Sequence, residues 1–352
     1  MHIQLDYAVL KTLTELPGIS GREAPVRDFL QKYLAPHADE IRTDTLGNLI
    51  VYKKGTADKN LLLCAHMDEV GLMVRHIDEQ GFLYFVPVGG IDPRTLLAQR
   101  VRIQTKKGTV LGVIGTKPAH ITTEAERQKA VPMNELYIDT GLPTEEVRTQ
   151  VTPGDSIVLD RTCEALGARR ICAKSLDNRA GVFVLAELLR NIKKPFYNIY
   201  AVFTVQEEVG LRGAKTAAFG IEADLGLALD TTGAADIPGC AARDQLVKLG
   251  GGVGVSAIDG YTITPQWLFE SLKQCCEQEK IRWQVRVAPR GGNDAGVMHL
   301  DKTGLAACAL SIPTRNIHSS VEIIDKQDVE AMFQLVSVLA QKGLTDGQPK
   351  AE

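Results

Sequence analysis

The sequence predicts an α/β fold, with a mixed central sheet sandwiched by helices, interrupted by a small inserted β-barrel. Three observations carry this. Short continuous apolar runs at 61–65 (LLLCA), 199–205, 225–229 and 305–311 read as strands buried on both faces. Helical patterns alternate with them, which calls for a largely parallel or mixed sheet covered on both sides. Between them, from about residue 70, the texture changes to short β-rich runs with no long helical pattern.

Residues 5–15 read as a helix. A second follows Ser20, with Glu23 three residues on as a capping box. The β-rich runs at 82–88, 101–105, 110–114 and 156–159 are separated by turn signals such as Lys107-Gly108 and Pro153-Gly154. Residues 67–162 are therefore assigned to an inserted barrel domain. Residues 1–66 and 163–346 form the main α/β domain, and 347–352 a tail. A helix begins near Asn178, with an apolar stripe at Val184, Leu185, Leu188 and Leu189. Thr264-Pro265 opens another, with proline where a missing N–H costs nothing. Asp325 caps the last helix, which ends near Gly343.

A net charge of -3 argues against nucleic acid or an anionic membrane as the main partner. No apolar run is long enough to span a membrane, and the start lacks a secretory pattern, so a cytoplasmic location is expected. The seven cysteines are odd in number and irregularly spaced, and none forms a CxxC pair. They read as reduced and mostly buried, and a cysteine zinc knuckle is not expected.

The informative pattern is where polar residues fall. His66 and Asp68 follow the run 61–65, Glu207 and Glu208 follow 199–205, and Asp230 follows 225–229. His318 lies one short loop after 305–311, and Asp177 lies just before a helix. In an open α/β sheet, ligands bind outside the carboxyl ends of the strands. Taken singly, each residue has a plainer reading as core histidine, helix cap or solvated turn. Together they place two histidines and several carboxylates at one sheet edge. Such a set suits zinc, cobalt or manganese. One carboxylate can bridge two ions, and a spare one can take a proton from water.

The segments CAHMDEVGLMV (64–74), SLDNRAG (175–181), QEEVGLRGA (206–214), LDTTGAADIPG (229–239), GGNDAG (291–296) and TRNIHSSVE (314–322) resemble those of the tetrahedral (TET) dinuclear-metal aminopeptidases, a group that includes glutamyl and deblocking aminopeptidases. LPGISGREAPVRDFL (16–30) matches as well, and the resemblance covers essentially the whole chain. It implies a dizinc exopeptidase-like fold and two divalent ions per subunit. His66 and Asp230 would hold one ion and Glu208 and His318 the other, with Asp177 between. Glu207 would be the general base, and Asp68 would orient His66. The implied substrates are short peptides with a free amino terminus. The implied assembly is of dimers joined into a hollow tetrahedral dodecamer, falling back to dimers when metal is stripped.

Three positions depart from the resemblance: Asn316 where an aromatic is commoner, Ala235 where glycine is commoner, and Arg290 where a small or apolar residue is commoner. Arg290, Gly292, Asn293 and Arg315, with Lys248, are candidate substrate-binding residues, and the cations suggest an acidic first residue. The run Gly250–Gly254 (GGGVG) lacks a P-loop lysine and reads as a flexible loop lining the site. His120 reads as part of a solvated loop. Rival readings are a dimetal deacylase or other amidohydrolase on blocked or small-metabolite substrates, and a non-catalytic assembly protein. A glycan hydrolase fits poorly, because histidines interleave with the carboxylates and only 5% of residues are aromatic.

Overall fold

The computed structural model describes residues 4–344. The expected tail, and the last two residues of the expected main domain, lie outside the described residues. Eight strands form the central sheet, in the order Glu40–Thr43, Leu49–Lys53, Asn198–Thr204, Asn60–His66, Leu225–Gly233, Ala307–Thr314, Val253–Ile258 and Trp283–Val287. The middle four run parallel, and antiparallel pairings join the flanks to them. The middle strands contain the apolar runs seen in the sequence, and nearly all their residues are buried. That is the behaviour of strands covered on both faces.

Successive residues of Asn60–His66 serve opposite layers, as the two-residue period of a strand requires. Leu61, Leu63 and Ala65 share a core with helices Tyr7–Glu15, Ala24–Leu34, Leu176–Asn191, Gln266–Gln278 and Lys326–Lys342. Leu62 and Cys64 pack against Ala214, Ala217 and Ala218 of Arg212–Phe219 and Met298 of Ala295–Met298. Leu176–Asn191 is buried from Leu176 to Leu189, which explains why its sequence is apolar nearly all round.

Six strands close into a barrel, ordered Gly71–Ile77, Leu83–Val88, Tyr137–Asp139, Gly108–Gly115, Arg100–Thr105 and Ser156–Leu159. Val101 and Ile103 point inward to Leu72, Phe85 and Ile138, while Arg100, Arg102 and Gln104 alternate outward. A three-stranded sheet, Glu164–Leu166, Arg170–Ala173 and Glu322–Asp325, pairs Ala173 with Glu322. Among the described residues no helix is long and apolar enough to cross a membrane.

Three local readings change. Ser20 and Glu23 form no capping box: the helix starts at Ala24 with no side-chain cap. Ser20 Oγ donates instead to Asp68 at 2.6 Å, and Glu23 Oε1 accepts the amides of Gly21 and Gln206 at 2.7 and 3.1 Å. The GGGVG run is not a free loop. The Gly250 and Gly252 amides both donate to the Asp328 carboxylate at 2.7 Å, and Gly254 lies in Val253–Ile258. All seven cysteines are free, but only Cys64, Cys276 and Cys308 are buried, so most are not.

Candidate metal centre

Pairing between Asn60–His66 and Leu225–Gly233 stops at Cys64 opposite Ala228. Beyond that point the strands part, with His66 and Asp230 on either side of the opening. This is the crevice at the carboxyl ends of parallel strands where ligands bind in such sheets. Leu225–Gly233 continues past Asp230, so that residue sits within a strand and not after it. Asn198–Thr204 ends with Thr204 beside His66, and the chain turns through Gln206, at φ +55, into Glu207 and Glu208. Asp177 and Asn178 precede the regular part of their helix, with non-helical dihedrals. His318 occupies the loop between Ala307–Thr314 and Glu322–Asp325, at φ +60.

Two histidines from these segments meet Asp177, and each also faces a second carboxylate. Asp177 Oδ1 lies 3.4 Å from His66 Nε2, which is 3.5 Å from Asp230 Oδ1. Its Oδ2 lies 3.2 Å from His318 Nε2, which is 3.3 Å from Glu208 Oε1. A zinc ion bonded to nitrogen and oxygen at about 2.0–2.1 Å puts tetrahedral ligand atoms about 3.3 Å apart. The four histidine–carboxylate separations are close to that spacing, and one oxygen of Asp177 faces each histidine. Glu207 Oε2 is farther from His66 Nε2, at 3.9 Å. Donor atoms of His66, Asp177 and Glu208 lie within 4.8 Å of one another, as do those of His66, Glu207 and Asp230.

The electrostatics also call for a cation. Burial pushes the Glu207 carboxyl well above the ordinary range. His66 opposes this, and Asp230, Asp294 and Glu208 add to it. Burial likewise raises Glu208 and Asp230. Asp294, pushed up to about 7, is raised chiefly by burial. Burial pulls the His318 imidazole down, but Asp177 and Glu208 outweigh it and push it up to about 12. Glu208 Oε1 is buried with no hydrogen-bond partner among the described residues. Clustered buried carboxylates that repel one another, with one oxygen orphaned, fit a divalent ion.

Two buried carboxylates hold the ligand-bearing backbone. Asp68 accepts the amides of Glu207 and Glu208 at 3.0 and 3.2 Å. Its backbone oxygen, not its carboxylate, takes the closest contact of His66 Nδ1, at 3.1 Å. Glu322 accepts the amides of Asp177 and His318, each at 2.8 Å. Gly90 turns its carbonyl oxygen to His318 Nδ1 at 2.7 Å, leaving Nε2 facing the carboxylates. Beneath them Glu69 pairs with Lys174 at 2.7 Å, tying the 67–69 and 174–179 segments together. Burial pulls the Lys174 ammonium down to about 8, against the pull of Glu69.

Sequence reasoning missed Glu322, Asp294 and Glu69. Glu322 and Asp294 lie inside the quoted TRNIHSSVE and GGNDAG segments, and Glu69 follows Asp68 in CAHMDE. The candidate substrate residues are more scattered. Arg290 and Lys248 are exposed. Arg315 is engaged by Asp236, with Nε to Oδ1 and Nη2 to Oδ2 each at 2.7 Å. Asn293 is buried, donating to Asp259 and accepting the Ala295 amide. A Cβ on Gly292 would collide with the Tyr261 ring.

Ala235 explains one departure from the resemblance. It holds φ +54, a left-handed conformation that glycine adopts without penalty and alanine does not. Ala235→Gly is expected to stabilise the fold by about 0.5–1 kcal/mol, net of glycine's greater freedom when unfolded. The shift of the urea midpoint checks this, and an unchanged or lower midpoint contradicts it. Asn316, at φ +55, is among the residues most tolerant of that region.

Residues 47–335 match the family model described as M42 glutamyl aminopeptidase. The chain is 36% identical over 347 residues to a lysyl aminopeptidase of Pyrococcus furiosus, covering 96% of this chain and 97% of that one. An aminopeptidase of the archaeon Desulfurococcus kamchatkensis superposes with a TM-score of 0.92 at 39% identity, over 96% and 94% of the two chains. The TET1 peptidase of Pyrococcus horikoshii, described as assembling into a tetrahedron or a large octahedral shell, superposes with a TM-score of 0.86 at 33% identity, over 95% and 99%. The chain belongs to the M42 glutamyl aminopeptidase family.

Proposed function

We propose that the chain is a two-metal aminopeptidase that removes amino-terminal residues from short peptides. The observation that carries this is Asp177, whose two oxygens face different histidines at 3.4 and 3.2 Å, each histidine lying within 3.5 Å of a further carboxylate. His66, Asp230 and Asp177 Oδ1 would hold one ion, and His318, Glu208 and Asp177 Oδ2 the other. When bound, divalent zinc, cobalt or manganese polarises the scissile carbonyl, acidifies water and stabilises the developing oxyanion.

The chain's own groups supply the rest. Glu207 stands beside the ligands at 3.9 Å from His66 Nε2, outside the closer trios. Its buried carboxylate has a high proton affinity. That suits taking a proton from the attacking water and handing it to the leaving amine. Asp68 fixes the Glu207 amide and the ring nitrogen of His66, so the base and its neighbouring ligand keep their separation. The unshared carboxylates around the site would receive the substrate's α-ammonium group, restricting attack to the first peptide bond.

Relatives are named as differently as lysyl and glutamyl aminopeptidase, and we place the first-residue preference outside the proposed ligand set. Arg290 is exposed on the loop before Asn293, and we keep it as a candidate for an acidic first residue. Arg315 is a weaker one because Asp236 already engages it. Gly292 and Asn293 would shape that loop. We assign residues 67–162 to an assembly domain built on the barrel, and the rest to the catalytic domain. Likeness to the TET1 peptidase, described as a dodecamer and as a tetrahedron or a large octahedral shell, supports a homo-oligomer, and dimers joined into a tetrahedral dodecamer are our reading for this chain. Seven free thiols suit the reducing cytoplasm.

The test is a panel of matched peptides with free and acetylated amino termini, assayed before and after chelation. The expected result is cleavage of free-amine peptides only, abolished by chelator and restored by zinc, cobalt or manganese. Cleavage confined to acetylated peptides would favour a deacylase instead, and full activity in chelator would exclude metal dependence.

A further inference from the structure

Two buried carboxylates hold ligand-bearing backbone in this site through amide hydrogen bonds. Asp68 braces Glu207 and Glu208. We propose that Glu322 is a positioning residue that sets the half-site of Asp177 and His318 and thereby the affinity of the ion held there. The proposal rests on the two-ion reading above.

Glu322 is 1% exposed and opens the strand Glu322–Asp325, whose register sets it opposite Ala173. From there Oε2 reaches the Asp177 amide and Oε1 the His318 amide, both at 2.8 Å. One carboxylate therefore spans two segments far apart in sequence whose side chains meet at 3.2 Å, Asp177 Oδ2 to His318 Nε2. His318 needs such an anchor. Its φ of +60 costs a non-glycine residue on the order of 1 kcal/mol. A backbone released from that conformation would carry the imidazole away from Glu208. The ion between His66 and Asp230 depends on one ligand braced by Glu322, namely Asp177. The ion between His318 and Glu208 depends on two.

Glu322→Gln tests this at nearly constant volume. The amide keeps one acceptor and turns an NH2 group toward a backbone N–H, so one brace is lost. Chelator-treated full-length protein is titrated with zinc, with a competing chromophoric chelator reporting each step. Wild type is expected to take up two ions. The variant is expected to bind the first within about threefold of wild type and the second about 10- to 100-fold more weakly. Its kcat should fall at limiting zinc and recover as zinc is raised, with KM little changed. A merely structural role would lower the melting temperature and leave the two steps in their wild-type ratio.

Two unchanged steps, or two equally weakened ones, would overturn the proposal. Wild type taking up fewer than two ions would overturn the metal reading itself, and this proposal with it. Should Glu322→Gln fail to fold, Glu322→Asp, which keeps both acceptors on a shorter arm, is titrated in its place. Selective weakening of the second step then supports the role, and any other pattern overturns it.

Discussion

Glu207→Gln is expected to lower kcat by about 100- to 10,000-fold, the usual contribution of a positioned general base, with both ions still bound and KM little changed. That loss corresponds to about 2.7–5.5 kcal/mol of transition-state stabilisation. The substitution is nearly isosteric. The amide of residue 207 still donates to Asp68, so the turn that carries Glu208 is kept. What disappears is the only function glutamine cannot supply, acceptance of a proton. Steady-state kinetics with metal analysis on the same sample gives the check. A wild-type kcat would remove Glu207 from the chemistry. Loss of an ion along with activity would make it a ligand, as its place in a donor group with His66 and Asp230 allows.

Asp177→Ala is expected to remove activity altogether and to empty both proposed metal positions at once. Its two oxygens face different histidines, at 3.4 and 3.2 Å. On the proposed reading it is the ligand common to both ions. Losing a partner that merely orients a ligand costs about 10- to 100-fold in metal affinity, and losing the ligand itself costs more. Dialysed Asp177→Ala should therefore retain close to no metal. Asp230→Ala and Glu208→Ala, each taking a ligand from one trio, should each retain about one ion by the same ligand arithmetic. Elemental analysis after dialysis distinguishes these outcomes. Two tightly held ions in Asp177→Ala would refute the bridge.

Much of the site could be read from the sequence because its side chains follow apolar runs. Such runs become strands buried on both faces, and a polar residue at their carboxyl end has few places to go but the crevice. His66, Glu207, Glu208 and Asp230 are of this kind. The barrel was legible from short β-rich runs separated by turn signals, with no long helical pattern between them. The strand Trp283–Val287 was not, because it lies at the sheet edge with Val285 and Val287 exposed and lacks a continuous apolar run.

The residues that hold the ligands were the least legible. Ser20 and Glu23 satisfy a local capping rule, yet both are taken by distant partners, Asp68 and the Gln206 amide. Local patterns lose when a group across the fold offers a better acceptor, as Asp68 does for Ser20, or a better donor, as the Gln206 amide does for Glu23. Glu322 gives no local signal, since what it binds is backbone, and every residue type but proline carries that N–H.

Gly90 has a wider consequence. It lies after the barrel strand Leu83–Val88, yet its carbonyl oxygen holds the His318 ring. A Cβ on Gly89 would stand 3.2 Å from Glu208 Cβ. The insertion thus reaches the same two side chains that face each other at 3.3 Å. Any subunit contact that shifts the barrel and any cation that draws these two side chains together act on one shared coordinate. Thermodynamic reciprocity then makes the effect of assembly on cation uptake equal to the effect of cation uptake on assembly. On the proposed two-ion, oligomeric reading, the concentration of free metal and the concentration of the protein itself would become variables of the same equilibrium.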